Sequence, residues 1–531
     1  MRLFILIFLI VLQVSAQEDA WIYFNDKENT SVYLADPTLM LTQDAIDRKA
    51  YFNIPIDFRD VPVSENYIAT VESSGVIVMA KSKWLNAVHV RGTIQDISSN
   101  ISEVFVDKID FADKTITDLS RPELVQEDKF EEQVELNSSY GNTANQTSMI
   151  EVDYLHGESF NGEGIKIAVL DAGYPNVNTM GGFQYSRDLQ KIKAGYDFVN
   201  NTTDVYQSSA SNHGTLVLST MAGYIEDQFV GTAIDATYYL FLTEDANNEN
   251  PVEESYWVEA AEAADSLGVD IINSSLGYTT YDNANYSYSN ADMNGITAFI
   301  TRGADIAADK GILVVNSAGN SGNSSWKIVG APADASGVFS IGAVDSNGLY
   351  AFFSSLGSSD QPTQKPDVVA QGQGSAVITE FNTLGSANGT SFSSPIIAGS
   401  MACLWQANPH LTNFELMQVV RETASQFNAP DSYLGYGIPN FKAAHQTLSS
   451  TTSIKYNVTT IYPNPVQRKL VISSDLSTYD IAVFDSTGNQ VLKLVSLSKE
   501  EIIDVSSLSI GVYFIQINSD KSTNSFKFLK E

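Results

Sequence analysis

At 531 residues the chain exceeds one ordinary core, and 43% hydrophobic against 18% charged residues excludes wholesale disorder. Its 63 acidic and 30 basic residues give a formal net charge of −33, which repels nucleic-acid backbones and anionic membrane surfaces and argues against both as partners. The charge suits a solvated surface outside the cell or in salt, and it names no substrate.

The N-terminus reads Met1-Arg2, an apolar run LFILIFLIVLQV from Leu3 to Val14, then Ser15-Ala16. One positive charge, a short apolar stretch and a small-x-small exit predict a secretory signal peptide over 1–16, cut after Ala16. That run is too short to span a bilayer as a helix, and no other long apolar run follows, so an exported protein without a membrane span is expected. A single cysteine, Cys403, allows no intramolecular disulfide; inside IIAGSMACLW it reads as a buried core thiol.

From Ala20 to about Lys129 the pattern is mixed. WIYF at 21–24 and VIVMA at 76–80 read as strands, TQDAIDRKAYF at 42–52 and KSKWLNAVHV at 81–90 as helices, together a small α+β unit. The polar stretch 107–147 reads as an exposed linker and cleavage region. Beyond it, strand-length apolar runs such as KIAVLDAG, ATYYLFL, VDIINSSLG, GILVVNSAGN and VFSIGAV alternate with helical stretches at 213–223, 252–267 and after Ser391. Such alternation predicts an α/β domain, a parallel sheet with helices on both faces. A Ser/Thr run within 449–455 reads as a second linker. After it KLVIS, YDIAVFD, QVLKL, GVYFIQI and FKFLK, with the turn STGN at 486–489, predict an antiparallel β-sandwich over 456–531.

Three segments of the α/β region carry a catalytic-type side chain near a predicted strand or helix end, beside glycine: Asp171 in VLDAG, His213 in NHGT and Ser391 in NGTSFSSP. A serine hydroxyl needs a base to take its proton, and an imidazole needs a carboxylate to fix its tautomer. An oxyanion needs aimed donors, which Asn320 in NSAGNSG and the Ser391 backbone N–H at a helix start could supply. Taken singly, each residue reads more readily as a turn or a cap than as a catalytic group.

Taken together, VLDAG, HGT, SSLG at 274–277, SAGN and GTSFSSP resemble, in order, the motifs of the subtilisin-like serine proteases. The lead-in LHGESFNGEGIKIAVLDAG is similar to that family's mature N-terminal segment. The resemblance implies a subtilisin-like domain over 137–448, with Ser391 as nucleophile, His213 as base and acid, Asp171 orienting His213, and Asn320 holding the oxyanion. It further implies Ser274, Leu276 and Gly277 as backbone partners of an extended substrate, a taste for apolar or bulky side chains, and no cofactor for the chemistry. Structural calcium is common in the family, but the acidic stretch Glu244 to Glu254 lacks ligand spacing and reads as a solvated loop. The chain departs from the family after His213, where Leu216 replaces a second histidine and Leu218 and Ser219 replace small residues, so the packing of that helix should differ.

The flanks carry resemblances of their own. The segment 17–136, with SKWLNAV at 82–88, looks like the propeptide of Bacteroidetes members of this family, which implies a zymogen with a mature start near residue 137. The end of the chain, with IYPNPV at 461–466 and FKFLKE, is similar to a type IX secretion sorting domain. That implies passage through the outer membrane, cell-surface anchoring or loss of this domain, and the secretion machinery as a partner alongside protein or peptide substrates. A monomer is expected. The competing readings are an inactive surface adhesin on a protease-like scaffold, and a serine esterase; the latter lacks the G-x-S-x-G elbow and has the wrong residue order.

Overall fold

The computed structural model describes residues 17–116, 142–207, 211–450 and, apart from 463, 465, 475–477, 486–488, 499 and 520–522, residues 459–530. The expected signal peptide, most of the first linker, residues 451–455 of the second and three residues of the 486–489 turn lie outside the described residues. The chain divides into two units, one up to Ser449 and one from Ser450.

The first unit begins with Glu18–Phe24 (β1), then Gln43–Tyr51 (α1), Glu65–Ser73 (α2), Ile77–Ser82 (β2), Ala87–Gly92 (β3) and Val106–Phe111 (β4). The strands form an antiparallel sheet in the order β2-β3-β1-β4. Side chains alternate across a strand, so Ala20, Ile22 and Phe24 of β1, with Val88 and Val90 of β3, close a small core against Ile68 and Val71 of α2. Their neighbours Trp21, Tyr23 and Ala87 point the other way and join the core of the next part of the chain. Both faces of this sheet are therefore buried. The helix expected over 81–90 is not formed: Lys81 and Ser82 end β2, Asn86 turns the chain in the left-handed region at φ +49°, and Ala87–Val90 is strand. Alternating β-branched residues after a left-handed Asn outweigh the lysines and leucine that suggested a helix.

Next come Lys166–Asp171 (β5), Ile192–Asp197 (β6), His213–Ala222 (α3), Thr237–Leu242 (β7), Val252–Ser266 (α4), Ile271–Ser274 (β8), Phe299–Asp309 (α5), Leu313–Ser317 (β9), Val338–Val344 (β10) and Val368–Gln371 (β11). The strands form one parallel sheet, β11-β10-β9-β8-β5-β7-β6. A hairpin, Ser375–Ile378 (β12) and Leu384–Ala387 (β13), leads into the long helix Thr390–Ala407 (α6). Adjacent residues of β8 fix the layering. Asn273 accepts from Ser394 of α6, whereas Ser274 accepts from Trp257 of α4, so the two helices lie on opposite faces. The expected α/β architecture is thus present, with near-continuous burial along strands such as β10, as a doubly covered parallel sheet demands.

The second unit consists of two antiparallel sheets. Thr459–Tyr462 (β14), Lys469–Ser474 (β15) and Glu500–Asp504 (β18) form one; Tyr479–Asp485 (β16), Gln490–Leu497 (β17), Gly511–Asn518 (β19) and Thr523–Lys530 (β20) form the other, in the order β17-β16-β19-β20. Leu470, Ile472, Ile481, Val483, Ile515, Ile517 and Phe528 share its core. Strands β14 and β18 add to those read from the sequence, where short polar edges carry little alternation.

Candidate active site

Asp171 is the last residue of β5, the strand flanked by β8 and β7, from which the chain later turns to opposite sides of the sheet. Crevices at such strand ends collect reacting groups. Its Oδ1 accepts from the Ala172 N–H at 2.7 Å and lies 2.6 Å from His213 Nδ1. An ionised carboxylate can only accept, so Nδ1 carries the proton and Nε2 is left as the basic nitrogen. Gly214 permits this approach. A Cβ there would meet the Gly173 carbonyl oxygen at 2.6 Å and Asp171 Cβ at 3.0 Å.

Ser391 is the second residue of α6. Gly389, just before the helix, has φ +146°, a backbone region open to glycine. Pro395 lies four residues after Ser391 and has no N–H to give the Ser391 carbonyl. Ser275 fills that place, donating its hydroxyl to the Ser391 oxygen at 2.9 Å, while Ser391 Oγ reaches back to the Ser275 carbonyl at 3.5 Å. The ring of Phe392, the next residue, packs on the His213 ring with centroids 6.1 Å apart. Within the group Asp171 is 0% exposed, His213 2% and Ser391 8%, so the hydroxyl is the member that reaches the surface.

Asn320 follows β9. Its Oδ1 accepts from both the backbone N–H and the hydroxyl of Thr390, at 2.9 and 3.0 Å, and the Thr390 hydroxyl in turn accepts from the Gly319 N–H at 3.1 Å. With Oδ1 tied down, the amide Nδ2 is the end left for a ligand, beside the Ser391 N–H in the first turn of α6. Both border a cleft of about 360 Å³. Ser275, Leu276 and Gly277 line one wall and Ser317 to Asn320 the other. Asn316 holds the walls together, donating to the carbonyls of Leu276 at 2.9 Å and Ser317 at 2.8 Å. Ser274 turns its hydroxyl away to Trp257 and is not among the lining residues. Sequence reasoning passed over Ser275, Asn316 and Thr390, although the spacing of Pro395 from Ser391 was a readable sign that a side chain must serve the Ser391 carbonyl.

Elsewhere, Cys403 is buried, donates to the Thr232 carbonyl, and has its thiol pushed far up by burial, which suits a core residue. Leu216 and Leu218 are fully buried in α3, and Ser219 accepts from the Ile378 N–H of β12 at 2.9 Å. The acidic stretch 244–254 is not a solvated loop. Glu244, Glu253 and Glu254 are buried: Glu254 accepts from Tyr281, from Tyr288 at 2.8 Å and from the Ile300 N–H at 3.0 Å, and Glu253 accepts from the Asp245 and Asn250 N–H groups. Tyrosine hydroxyls and loop amides satisfy these carboxylates, a pattern that a count of acidic residues cannot reveal. Among the described residues no group of three or more His, Cys, Asp or Glu side chains is placed to hold a metal ion, and no helix is long and apolar enough to cross a membrane.

The subtilase family pattern matches residues 162–437, more than half of the chain. This chain belongs to the subtilase family. It is a subtilisin-like serine peptidase, and two further patterns match its flanks: a peptidase S8 propeptide domain of Bacteroidota over 19–129 and a secretion system C-terminal sorting domain over 460–531. The sorting domain directs it through type IX secretion to the cell exterior or surface. It is 32% identical over 305 residues to subtilisin NAT of Bacillus subtilis subsp. natto, covering 56% of this chain and 70% of that one. It shows the same identity to subtilisin of Bacillus pumilus, covering 97% of that chain. The crystal structure of MycP1 with the N-terminal propeptide removed aligns over 59% of this chain and 98% of that chain, at 21% identity and a TM-score of 0.45.

Proposed function

We propose that this subtilase is a secreted serine endopeptidase working through Asp171, His213 and Ser391, made as a zymogen restrained by residues 17–136. The observation that carries the reading is the 2.6 Å contact between Asp171 and His213 Nδ1, with Phe392 seating the Ser391 turn against the same imidazole. Ser391 Oγ attacks the scissile carbonyl carbon while His213 Nε2 takes its proton. The oxyanion forms between Asn320 Nδ2 and the Ser391 N–H. Collapse breaks the C–N bond, the leaving amine receives the proton from His213, and an acyl-enzyme remains; water, deprotonated by the same nitrogen, then frees the acid and restores Ser391.

The zymogen reading rests on the seam between the N-terminal sheet and α4. Glu262 accepts from the Ser82 hydroxyl at 2.7 Å and from the Lys83 and Trp84 N–H groups at 2.9 Å each, and Trp21 stacks on Phe299. The test is labelling of the secreted protein with a fluorophosphonate probe. Label on Ser391 that is lost in Ser391→Ala and in His213→Ala supports the assignment. Folded, processed protein that takes no label would instead favour an inactive binding scaffold.

A further inference from the structure

The family resemblance implies an apolar taste for this cleft, but its lining is mostly hydroxyls and amides. Thr279, Thr280, Asn323 and Ser324 present polar groups along it, and Leu276 and Ile328 supply the larger apolar side chains. Glu249 is the charged residue of the lining. It is half-buried, comes from the acidic stretch 244–254, and its backbone is held by Asp282: its N–H donates to the Asp282 side-chain Oδ2 at 3.1 Å and its carbonyl accepts from the Asp282 N–H at 3.0 Å. The charge of Glu249 is felt at Tyr278 and Tyr281, whose phenols are raised well above their usual range by burial first, and then by Glu244 and Glu254 ahead of Glu249. Lys327, the nearest cation in sequence to Ile328, is exposed and is not a lining residue.

We propose that Glu249 makes this cleft selective for substrates carrying a lysine or arginine side chain near the scissile bond, a substrate class for the proteolytic reading above, on which it rests. A purely aliphatic side chain placed there would strip water from the lining hydroxyls and return no hydrogen bonds. A lysine or arginine lays its stem along Leu276 and Ile328 and offers N–H donors to the hydroxyl and amide oxygens, with its charge facing Glu249. The glycines leave room for this. Gly330 also lines the cleft, and a Cβ on it would meet Thr279 Cγ2 at 2.9 Å.

The experiment uses the secreted, processed protein with active sites counted by fluorophosphonate. Internally quenched peptides carry Lys, Arg, Gln, Glu or Leu at each of the four positions before the cleaved bond. At one position the Lys and Arg peptides should exceed the Gln peptide in kcat/KM by roughly tenfold, as expected for a charge pair in a partly desolvated cleft. That ratio should fall close to one in Glu249→Gln, invert in favour of the Glu peptide in Glu249→Lys, and survive in Glu249→Asp. Because each ratio is taken within one variant, incomplete folding does not disturb it. Cleavage without a cationic preference at any position, or a preference kept in Glu249→Gln, overturns the proposal and leaves the proteolytic reading standing. Absence of both label and cleavage overturns the two together.

Discussion

Asp171, His213 and Ser391 have a counterpart in the same unit. His89 Nε2 lies 2.9 Å from Asp19 Oδ1 and its Nδ1 lies 2.9 Å from Ser255 Oγ, which also accepts from Trp21 Nε1 at 2.9 Å. The residue types are those of the first group, but the setting differs. Asp19 and His89 belong to the N-terminal sheet and Ser255 to α4, so the three groups meet across a seam where His89 is 1% and Ser255 3% exposed. Arg91 clamps Asp19 from the side at 3.0 Å. This second set is closed off from solvent, and its serine hydroxyl is engaged by both His89 and Trp21. What distinguishes a nucleophile is the access and the oxyanion donors that Gly389, Thr390 and Asn320 arrange around Ser391; hydrogen bonds among Asp, His and Ser alone build a docking contact.

Paired substitutions break the comparison most directly. Ser391→Ala should reduce kcat by about 10⁶-fold, the scale documented for subtilisin itself. It should also leave the 17–136 segment attached in cells lacking another processing protease. Ser255→Ala should leave turnover of the matured enzyme unchanged and should loosen the N-terminal segment, read as faster proteolysis of that segment in the Ser391→Ala precursor. A large loss of turnover in Ser255→Ala would show that the seam contributes to chemistry after all.

The seam has a buried ionic core that the cleft lacks. Lys49 reaches Asp265 at 2.8 Å and Asp60 at 3.5 Å, Arg48 reaches Asp265 at 2.8 Å, and Lys310 reaches Asp60 at 2.6 Å, all of them buried. Removing one partner of such a network strands a charge, which costs roughly 3–5 kcal/mol. Asp265→Ala in the Ser391→Ala precursor should lose that much on denaturant unfolding, whereas the fully apolar exchange of Arg48, Lys49 and Asp265 together, which strands neither cation, should recover most of it. Equal losses in the single and triple variants would remove the network as the source of the effect.

Much of this was legible beforehand. Most of the strands and helices after residue 166 follow from apolar runs, although β6, β11 and the β12–β13 hairpin do not, and the roles proposed for Asp171, His213, Asn320 and Ser391 come from the family resemblance of their motifs. The seam was not, because Trp21, Tyr23 and Ala87 read like any apolar strand residues until the second face of the sheet is seen to be covered. The same blindness affected Glu244, Glu253 and Glu254, whose partners are tyrosines 27 to 34 residues away and backbone amides. Thr390 looked like a helix-start neighbour because its target, Asn320, lies 70 residues earlier.

Thr390 tests the cleft side at a smaller scale. Thr390→Val keeps the shape but removes the hydroxyl that accepts from Gly319 and donates to Asn320. Asn320 keeps its bond from the Thr390 N–H, so kcat should fall by about tenfold, short of the loss on deleting the donor itself, with KM little changed. Thr390→Ser should restore it. A change confined to KM would place Thr390 in substrate binding and not in the positioning of Asn320.

The smallest effect expected is a pH dependence of the seam. Burial, and then the charge of Glu262, push the half-buried Glu259 on α4 up to about 7, and burial raises Glu262 as well. Both carboxyls return towards the ordinary glutamate range, near 4.3, once the N-terminal segment leaves. Docking therefore takes up protons: its contribution is complete below that range and is lost as pH rises through about 7. Lys49, held below the usual lysine range by burial, works in the opposite sense at higher pH, so the Glu259 contribution has to be isolated by substitution. After chain cleavage, release of the N-terminal segment, read as recovery of peptidase activity, should quicken by about threefold between pH 6 and 8, a small change because Glu259 remains partly solvated. Glu259→Gln should flatten that rise; a rise of the same size in Glu259→Gln would assign the pH dependence to another group at the seam.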